Sequence, residues 1–454
     1  MYGKTFFQNH ASIIHKYYDG KIAKYLITDP WVNSPAFGSW LPSFPPVISN
    51  DRLLSLALDK RLIILISHAH DDHCDDEFLK IFPKNITIII PKFKGPGLRR
   101  RLEKLGFQNI NEISSNATRL EGINFHSFIN EDLSLDDAVI TIETSSETLI
   151  HNNDNWFEYN EETLKVISEI VGKQKDKNKV LFMSQTNSAS GFPFAYNNFD
   201  SLKKLDINIA KVKKMIETGI RNCLNVGGTK FLSYAGYASV YVKEHPEYLS
   251  DSINPTPKWI SENCNTCSVD IIDMLPGDLY EFEQGTIQEH FMKDAIESEN
   301  YSAARNSIYR IDKVIDKCDT YKITNNIEYT NIEQKLEYFL LELNKFVLAR
   351  MNFVDFFGGI EGKCFKIQIK NSMVNKSLIF GSGLQKIECA PDKSVIVPID
   401  LMFKILEGEL LFENLYTGYE GEWSRKDDYN RDIVMALVMF SYFYKNNLMA
   451  KKGF

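Results

Sequence analysis

Three observations predict an α/β layered protein. Short apolar runs alternate with helical segments through about residue 280. A β-hairpin signature interrupts that alternation, so a purely parallel sheet is not expected. Strand after strand ends in a polar residue, at Asp29, His68, Asp154, Ser184 and Tyr234. Strand ends gathered on one edge of a layered fold are where ligand sites form.

Lys24-Tyr-Leu-Ile-Thr28 reads as a strand running into Asp29-Pro30-Trp31, and residues 33–47, rich in Pro, Ser and aromatics, as a loop. Arg61-Leu-Ile-Ile-Leu-Ile-Ser67 is a buried strand, and Asp75–Lys80 opens a helix. Asn85–Ile90 is a strand closed by Pro91, Gly95–Leu105 is a basic helix, and Gly122–Phe128 is a strand. Ala138–Glu143 and Glu147–His151 flank Thr144-Ser-Ser146 as a hairpin. Val180–Met183 is a strand before the polar loop Ser184–Gly191, Leu205–Asn222 is helical, and Lys230–Tyr234 is a strand running into Ala235-Gly236. From about 281 the pattern changes to an amphipathic helix at 332–351, short strands at 364–370 and 377–380, then helix, loop and closing helix from Lys404 to Tyr444. This divides the chain into a domain over 1–280 and a smaller α+β unit over 281–454.

Whole-chain properties exclude several classes. The 454 residues carry a net charge of −8, so there is no basic footprint for nucleic acid. The longest apolar-aromatic stretch, Ile433–Tyr444, falls short of the ~20 residues that cross a bilayer. The first ten residues have no apolar leader core, and the seven cysteines are odd in number, which fits a reducing, cytoplasmic setting. Cys264-Asn-Thr-Cys267 is a lone C-x-x-C with no second pair at zinc-ribbon spacing, and reads as surface thiols.

The chemistry concentrates in His68-Ala-His70-Asp-Asp72-His73, the pattern H-x-H-x-D-H at a strand end. Imidazole and carboxylate suit zinc, iron or manganese. His68 and His70, two apart on extended chain, can point the same way and hold one ion. Asp72 and His73, before the next helix, can reach a second. A solvated polar loop would not need this density of ligand residues. Cys74 sits one position off the pattern and reads as a buried structural thiol.

These residues resemble the metallo-β-lactamase-fold superfamily, whose signature is H-x-H-x-D-H after a strand. The resemblance implies a four-layer αββα sandwich with one or two ions at its edge. It implies that Asp29 buttresses a ligand histidine and that Asp154, after the hairpin, bridges the ions. More narrowly, Asp29–Trp40, Ser188–Pro193, Tyr234–Tyr237, Met274–Asp278 and Trp423–Tyr429 resemble the branch containing the metal domain of CMP-N-acetylneuraminate hydroxylase. Two departures stand out. The family's intervening histidine has only His126 as a counterpart, with Glu131, Asp132 or Asp137 as substitutes. The late histidine of the hydrolases is replaced by Tyr234-Ala-Gly236, with His245 beyond it. No C-x-H…C-x-x-H pair is present, so the chain carries no Rieske cluster of its own.

The expected site is therefore His68, His70, Asp72, His73, Asp154 and His126 on one or two ions, Asp72 also orienting the nucleophile. Trp40, Ser190 and Tyr237 border the substrate pocket, and Arg425 or Lys426 closes over it. His151 is expected to pack. The favoured activity is a non-haem iron oxygenase using O2 on a small polar molecule, with electrons from a separate protein or from a diiron site. The alternative is a zinc or manganese hydrolase of a phosphoester, lactone or similar bond.

Overall fold

The computed structural model describes residues 1–32, 34–44, 48–129, 137–187, 189–242, 245, 248, 255–266, 268–288, 331–351, 359–385, 390–426 and 432–451. In chain order the strands begin with β1 (Lys4–Asn9), β2 (Ser12–Asp19), β3 (Ile22–Thr28), β4 (Trp40–Pro42), β5 (Leu62–Leu65), β6 (Ile88–Pro91) and β7 (Ile110–Ile113). They continue with β8 (Thr118–Leu120), β9 (Ile123–Ile129), β10 (Ala138–Glu143), β11 (Thr148–His151), β12 (Val180–Gln185) and β13 (Lys230–Ala235). β14 (Ala238–Val240), β15 (Asp270–Ile271), β16 (Leu279–Glu281) and β17 (Thr286–Gln288) complete the N-terminal set. Among the described residues they form an eight-stranded sheet, β17-β16-β1-β2-β3-β5-β6-β7, and a seven-stranded sheet, β15-β13-β12-β11-β10-β9-β8, while β14 pairs with β4.

Alternation along the strands builds the layers, because successive side chains face opposite ways. Ile63, Leu65 and Ile89 of the first sheet meet Ile140, Leu149, Leu181 and Met183 of the second in a core between the sheets. Their neighbours Ile64, Ile88 and Ile90 face outward, onto α1 (Asn50–Leu58), α2 (Asp76–Leu79) and α3 (Gly97–Lys104). On the far side Ile150, Phe182 and Phe231 pack under α4 (Glu161–Lys173), α5 (Ser201–Asn225) and α6 (Pro257–Asn263). Each such buried aliphatic side chain contributes roughly 1.5–3 kcal/mol of transfer free energy. The result is the αββα sandwich that the resemblance implies.

The C-terminal residues build α7 (Ile332–Leu348), the strands β18 (Cys364–Ile369), β19 (Asn375–Ile379), β20 (Gly383–Gln385), β21 (Lys393–Val397) and β22 (Glu422–Arg425), and three further helices. These are α8 (Ile399–Leu406), α9 (Phe412–Tyr416) and α10 (Asp432–Lys451). The strands make their own sheet, β20-β19-β18-β21-β22. Its core is continuous with Trp31, Phe37, Trp40, Tyr196 and Phe199 of the sandwich. The unit is therefore seated on the loops that surround the strand ends.

Several sequence readings change. Residues 4–19, to which no element was assigned, form the hairpin β1–β2. The proline-rich loop carries the short strand β4, and the first sheet takes in residues through Gln288, past the expected boundary at 280. Cys364 is disulfide-bonded, so the cysteines are not uniformly thiols. Cys267 lies outside the described residues. No described helix is long and apolar enough to cross a membrane.

Candidate metal centre

β5 ends at Leu65, and the chain passes through Ser67 and His68 into a turn before α2. Asp75 caps α2 by accepting from the backbone N–H groups of Glu77 and Phe78. The same carboxylate accepts from Val32 N, Ser34 N and Ser34 Oγ at 3.0, 3.1 and 2.8 Å, tying the 31–40 loop to the turn. Arg101 of α3 fastens the other side. Its guanidinium donates to Asp76 Oδ1 at 2.7 Å, Asp71 Oδ1 at 3.0 Å and the Cys74 carbonyl at 2.8 Å. The basic run gave no hint of this anchoring role.

Asp29, fully buried at the end of β3, organises the histidines. Its φ of 38° is left-handed, a region that aspartate enters more readily than most residues. One carboxylate oxygen accepts from Ser67 N at 2.7 Å, and the other from Ser67 Oγ at 2.7 Å. The second oxygen also stands 3.0 Å from His73 Nδ1 and 3.3 Å from His151 Nε2. Burial alone would raise this carboxyl. The two imidazoles outweigh it and hold it well below the usual carboxylate range. With Nδ1 engaged, His73 turns Nε2 into the site, the arrangement by which a carboxylate orients a ligand histidine. His151, expected only to pack, contacts both Asp29 and the Tyr234 hydroxyl.

Two groups of potential ligand atoms result. His68, His70 and Asp154 form one, and His10, Asp72 and His73 form the other. His68 Nε2 and His70 Nδ1 are 2.7 Å apart, and His68 Nδ1 contacts Ser67 Oγ and the Asn153 side chain at 3.0 and 3.2 Å. Asp154 Oδ2 stands 3.9 Å from His68 Nε2 and 3.4 Å from His73 Nε2, between the groups. Asp72 Oδ2 lies 3.7 Å from His73 Nε2 and 3.5 Å from His10 Nε2.

His10 was not among the sequence candidates. It sits in the turn between β1 and β2, where its Nδ1 accepts from Gly236 N at 3.1 Å. Ala11 N, beside it, donates to the Tyr234 carbonyl. The turn thus crosses to the end of β13 and presents an imidazole where Tyr234-Ala-Gly236 offers none.

The donor set fits a metal on its own observations. His10 Nε2, His73 Nε2 and Asp72 Oδ1 are buried and have no hydrogen-bond partner. Buried polar atoms are otherwise nearly always paired. Imidazole nitrogens with carboxylate oxygens suit zinc, iron or manganese.

Other expected site residues are placed elsewhere. His126 is not brought to the cluster. On β9 it shares a face with Phe128, which it stacks against at 6.2 Å, and its Nδ1 meets the Ser115 carbonyl at 3.1 Å. Phe125 and Ser127, on either side of it in the strand, take the opposite face. Glu131 and Asp132 lie outside the described residues. Asp137 is close enough to feel Asp154 and His70, and burial, with Asp154 adding, pushes its carboxyl up to about 6. His245 meets Val242 and Tyr248.

The residues expected along the pocket wall are placed as follows. Trp40 is buried against the C-terminal unit, donating from Nε1 to the Thr417 carbonyl at 2.6 Å, and Tyr237 is packed on Phe7 and Phe44. Ser190 is partly exposed and accepts from Phe192 N. Arg425 lies over Phe192, Tyr196 and Phe199, and Lys426 pairs with Asp392. Instead, Glu413 of α9 approaches His70, whose side chain is 41% exposed. Cys74 is buried, and burial pushes its thiol up to about 12.

No family model matches the chain. Stretches of it are similar to mycobacterial proteins named as Rieske 2Fe-2S iron-sulfur proteins. One from Mycolicibacterium smegmatis is 42% identical over 88 residues, 19% of this chain and 16% of that protein. One from Mycobacterium tuberculosis is 39% identical over 101 residues, 22% of this chain and 19% of that protein. The chain thus spans under a fifth of the length of the curated relatives it matches. Among solved structures, a possible metal-dependent hydrolase from Veillonella parvula aligns at 15% identity and TM-score 0.36, covering 62% of this chain and 98% of that one. The metallo-beta-lactamase fold protein YhfI from Bacillus subtilis aligns at 12% identity and TM-score 0.34, covering 62% of this chain and all of its own. By its αββα layers and the histidine–aspartate turn at the sandwich edge, the chain has the metallo-β-lactamase fold.

Proposed function

We propose that the chain is a metal-dependent oxygenase that hydroxylates a small polar molecule at a two-iron centre. The observation that carries this reading is the composition of the two ligand groups. Each consists of two imidazoles and one carboxylate, His68/His70/Asp154 and His10/Asp72/His73. That donor set, with positions left open, is the one non-haem iron oxygenases use. The removal of His126 to another face leaves the first group without a third imidazole. The resemblance to the hydroxylase branch points the same way.

Iron bound there would supply O2 activation. The protein's own part is to fix the donors and limit access. Asp29 holds His73 Nδ1, Ser67 and Asn153 hold His68 Nδ1, and Gly236 N holds His10 Nδ1. Asp154 and His70 are the partly exposed members, so a substrate reaches the centre from their side. One atom of O2 enters a C–H bond as hydroxyl and the other leaves as water. The reaction consumes two electrons and two protons. The electrons would be supplied by a donor outside these 454 residues, which contain no C-x-H…C-x-x-H pair.

Asp72 supports a second reading, hydrolysis of a phosphoester or lactone by zinc or manganese. Its Oδ1 is buried without a partner beside His10 and His73, where it could accept a proton from the attacking water. Isotopic labelling separates the two. Iron-loaded protein, chemically reduced and exposed to 18O2 with a panel of sugar- and amino-acid-like compounds, is expected to give product carrying 18O from the gas. Label entering only from water, with bond cleavage by the zinc-loaded protein, would replace the oxygenase by the hydrolase.

A further inference from the structure

We infer that the C-terminal unit completes the metal centre, with Glu413 acting as a positioning residue for His70. Glu413 Oε1 lies 3.8 Å from His70 Nε2. The other nitrogen of that ring, Nδ1, faces His68 Nε2 at 2.7 Å, inside the ligand group. Glu413 is therefore on the outer side of the imidazole. Asp29 stands behind His73 in a similar place but at hydrogen-bond distance, 3.0 Å, whereas Glu413 approaches His70 as an ion-pair partner at 3.8 Å. A carboxylate behind a ligand histidine fixes its tautomer and orientation and makes it more basic.

The carboxylate is itself held. Tyr442 of α10 donates from its hydroxyl to Glu413 Oε2 at 2.9 Å, which leaves Oε1 for His70. Phe37 meets the His70 ring edge-on, with the ring centroids 5.9 Å apart. The segment carrying Glu413 is seated firmly on the sandwich. Trp40 Nε1 donates to the Thr417 carbonyl, Ser39 Oγ donates to the Gly418 carbonyl, and a Cβ on Gly418 would come within 2.2 Å of the Phe37 carbonyl oxygen. Only glycine permits that approach. Tyr442, Glu413 and His70 thus follow one another from the last helix to the metal cluster, the first link a hydrogen bond and the second an ion-pair approach. Among the described residues, the sandwich itself places no carboxylate against His70 Nε2.

This inference rests on the metal reading of His68 and His70, and not on the choice between oxygenase and hydrolase. Its test is metal affinity, read by competition with a chromophoric chelator, together with the visible spectrum of the cobalt-loaded protein. Glu413→Gln, nearly isosteric, is expected to weaken one of two bound ions by about 10–100-fold, to shift the cobalt bands and to leave the other ion in place. Tyr442→Phe should give a smaller loss in the same ion, and Glu413→Asp should recover part of it. Glu413→Gln that retains both ions at wild-type affinity with an unaltered cobalt spectrum would overturn the inference. So would equal weakening of both ions with a lowered unfolding midpoint, since that reports general destabilisation. A wild-type protein that binds no metal would instead overturn the functional reading.

Discussion

His10 Nε2 stands 3.5 Å from Asp72 Oδ2, although the two residues come from the first hairpin and from the turn after the fifth strand. Neither His10 Nε2 nor Asp72 Oδ1 has a hydrogen-bond partner. The pair makes sense as half of an ion site, with His73 supplying the third donor.

His10→Gln should therefore lower the metal content from two equivalents to one, without loss of the sandwich. Elemental analysis of purified variant and wild type checks this. The remaining ion belongs to His68, His70 and Asp154.

Asp29→Asn should be among the most damaging single changes. Asparagine tolerates the left-handed backbone at this position, so the loss reports the charge rather than strain. Removing one partner of a buried ion pair costs about 3–5 kcal/mol. Urea unfolding of chelator-treated protein should show a loss of that order, and metal binding should weaken at both groups because Asp29 also fixes Ser67, next to His68.

Gly418→Ala should loosen the C-terminal unit. The added Cβ would meet two backbone carbonyl oxygens, Phe37 at 2.2 Å and Asn414 at 2.3 Å, and neither can move cheaply. An overpacking cost of about 1–3 kcal/mol is expected. Limited proteolysis should cut faster between the units than in wild type.

A buried pair remote from the metals gives a pH prediction. Glu147 Oε1 is 3.3 Å from His15 Nε2, and its other oxygen accepts from Gly3 N at 3.2 Å. Burial raises this carboxyl, but the contacts with His15 outweigh it and the net shift is downward. A lowered folded-state value stabilises above the unfolded value of about 4.3, and that stability is lost as pH falls through the folded value. In metal-free protein, the stability gap between wild type and Glu147→Gln should be largest above about pH 5 and shrink as the solution is acidified below the unfolded value. A gap that grows towards low pH contradicts this assignment.

Much of the sandwich and its edge was legible in the sequence, for local reasons. His68 to His73 are contiguous and follow an apolar run, so strand, turn and ligands are read together. Asp29 and Asp154 stand out because each ends a recognisable strand. His10 did not, because its role depends on a turn reaching β13, through Gly236 N and the Tyr234 carbonyl, a contact with no local signal. His126 was misplaced for a related reason. Its strand was recognised, but period-2 alternation alone does not say which face is the site face. Glu413 and Tyr442 approach the cluster only because a second unit is seated on the first, and nothing in their neighbourhoods marks them. Arg425, expected over the site, is taken up instead by Phe192, Tyr196 and Phe199.

The most direct measurement is the metal content and iron Mössbauer spectrum of protein purified without chelator from iron-replete cells. Two groups of two imidazoles and one carboxylate, linked by Asp154, predict close to two iron equivalents per chain and a spin-coupled pair of iron sites. Tightly bound zinc in place of iron, or one equivalent of metal unaffected by His10→Gln, would contradict the account.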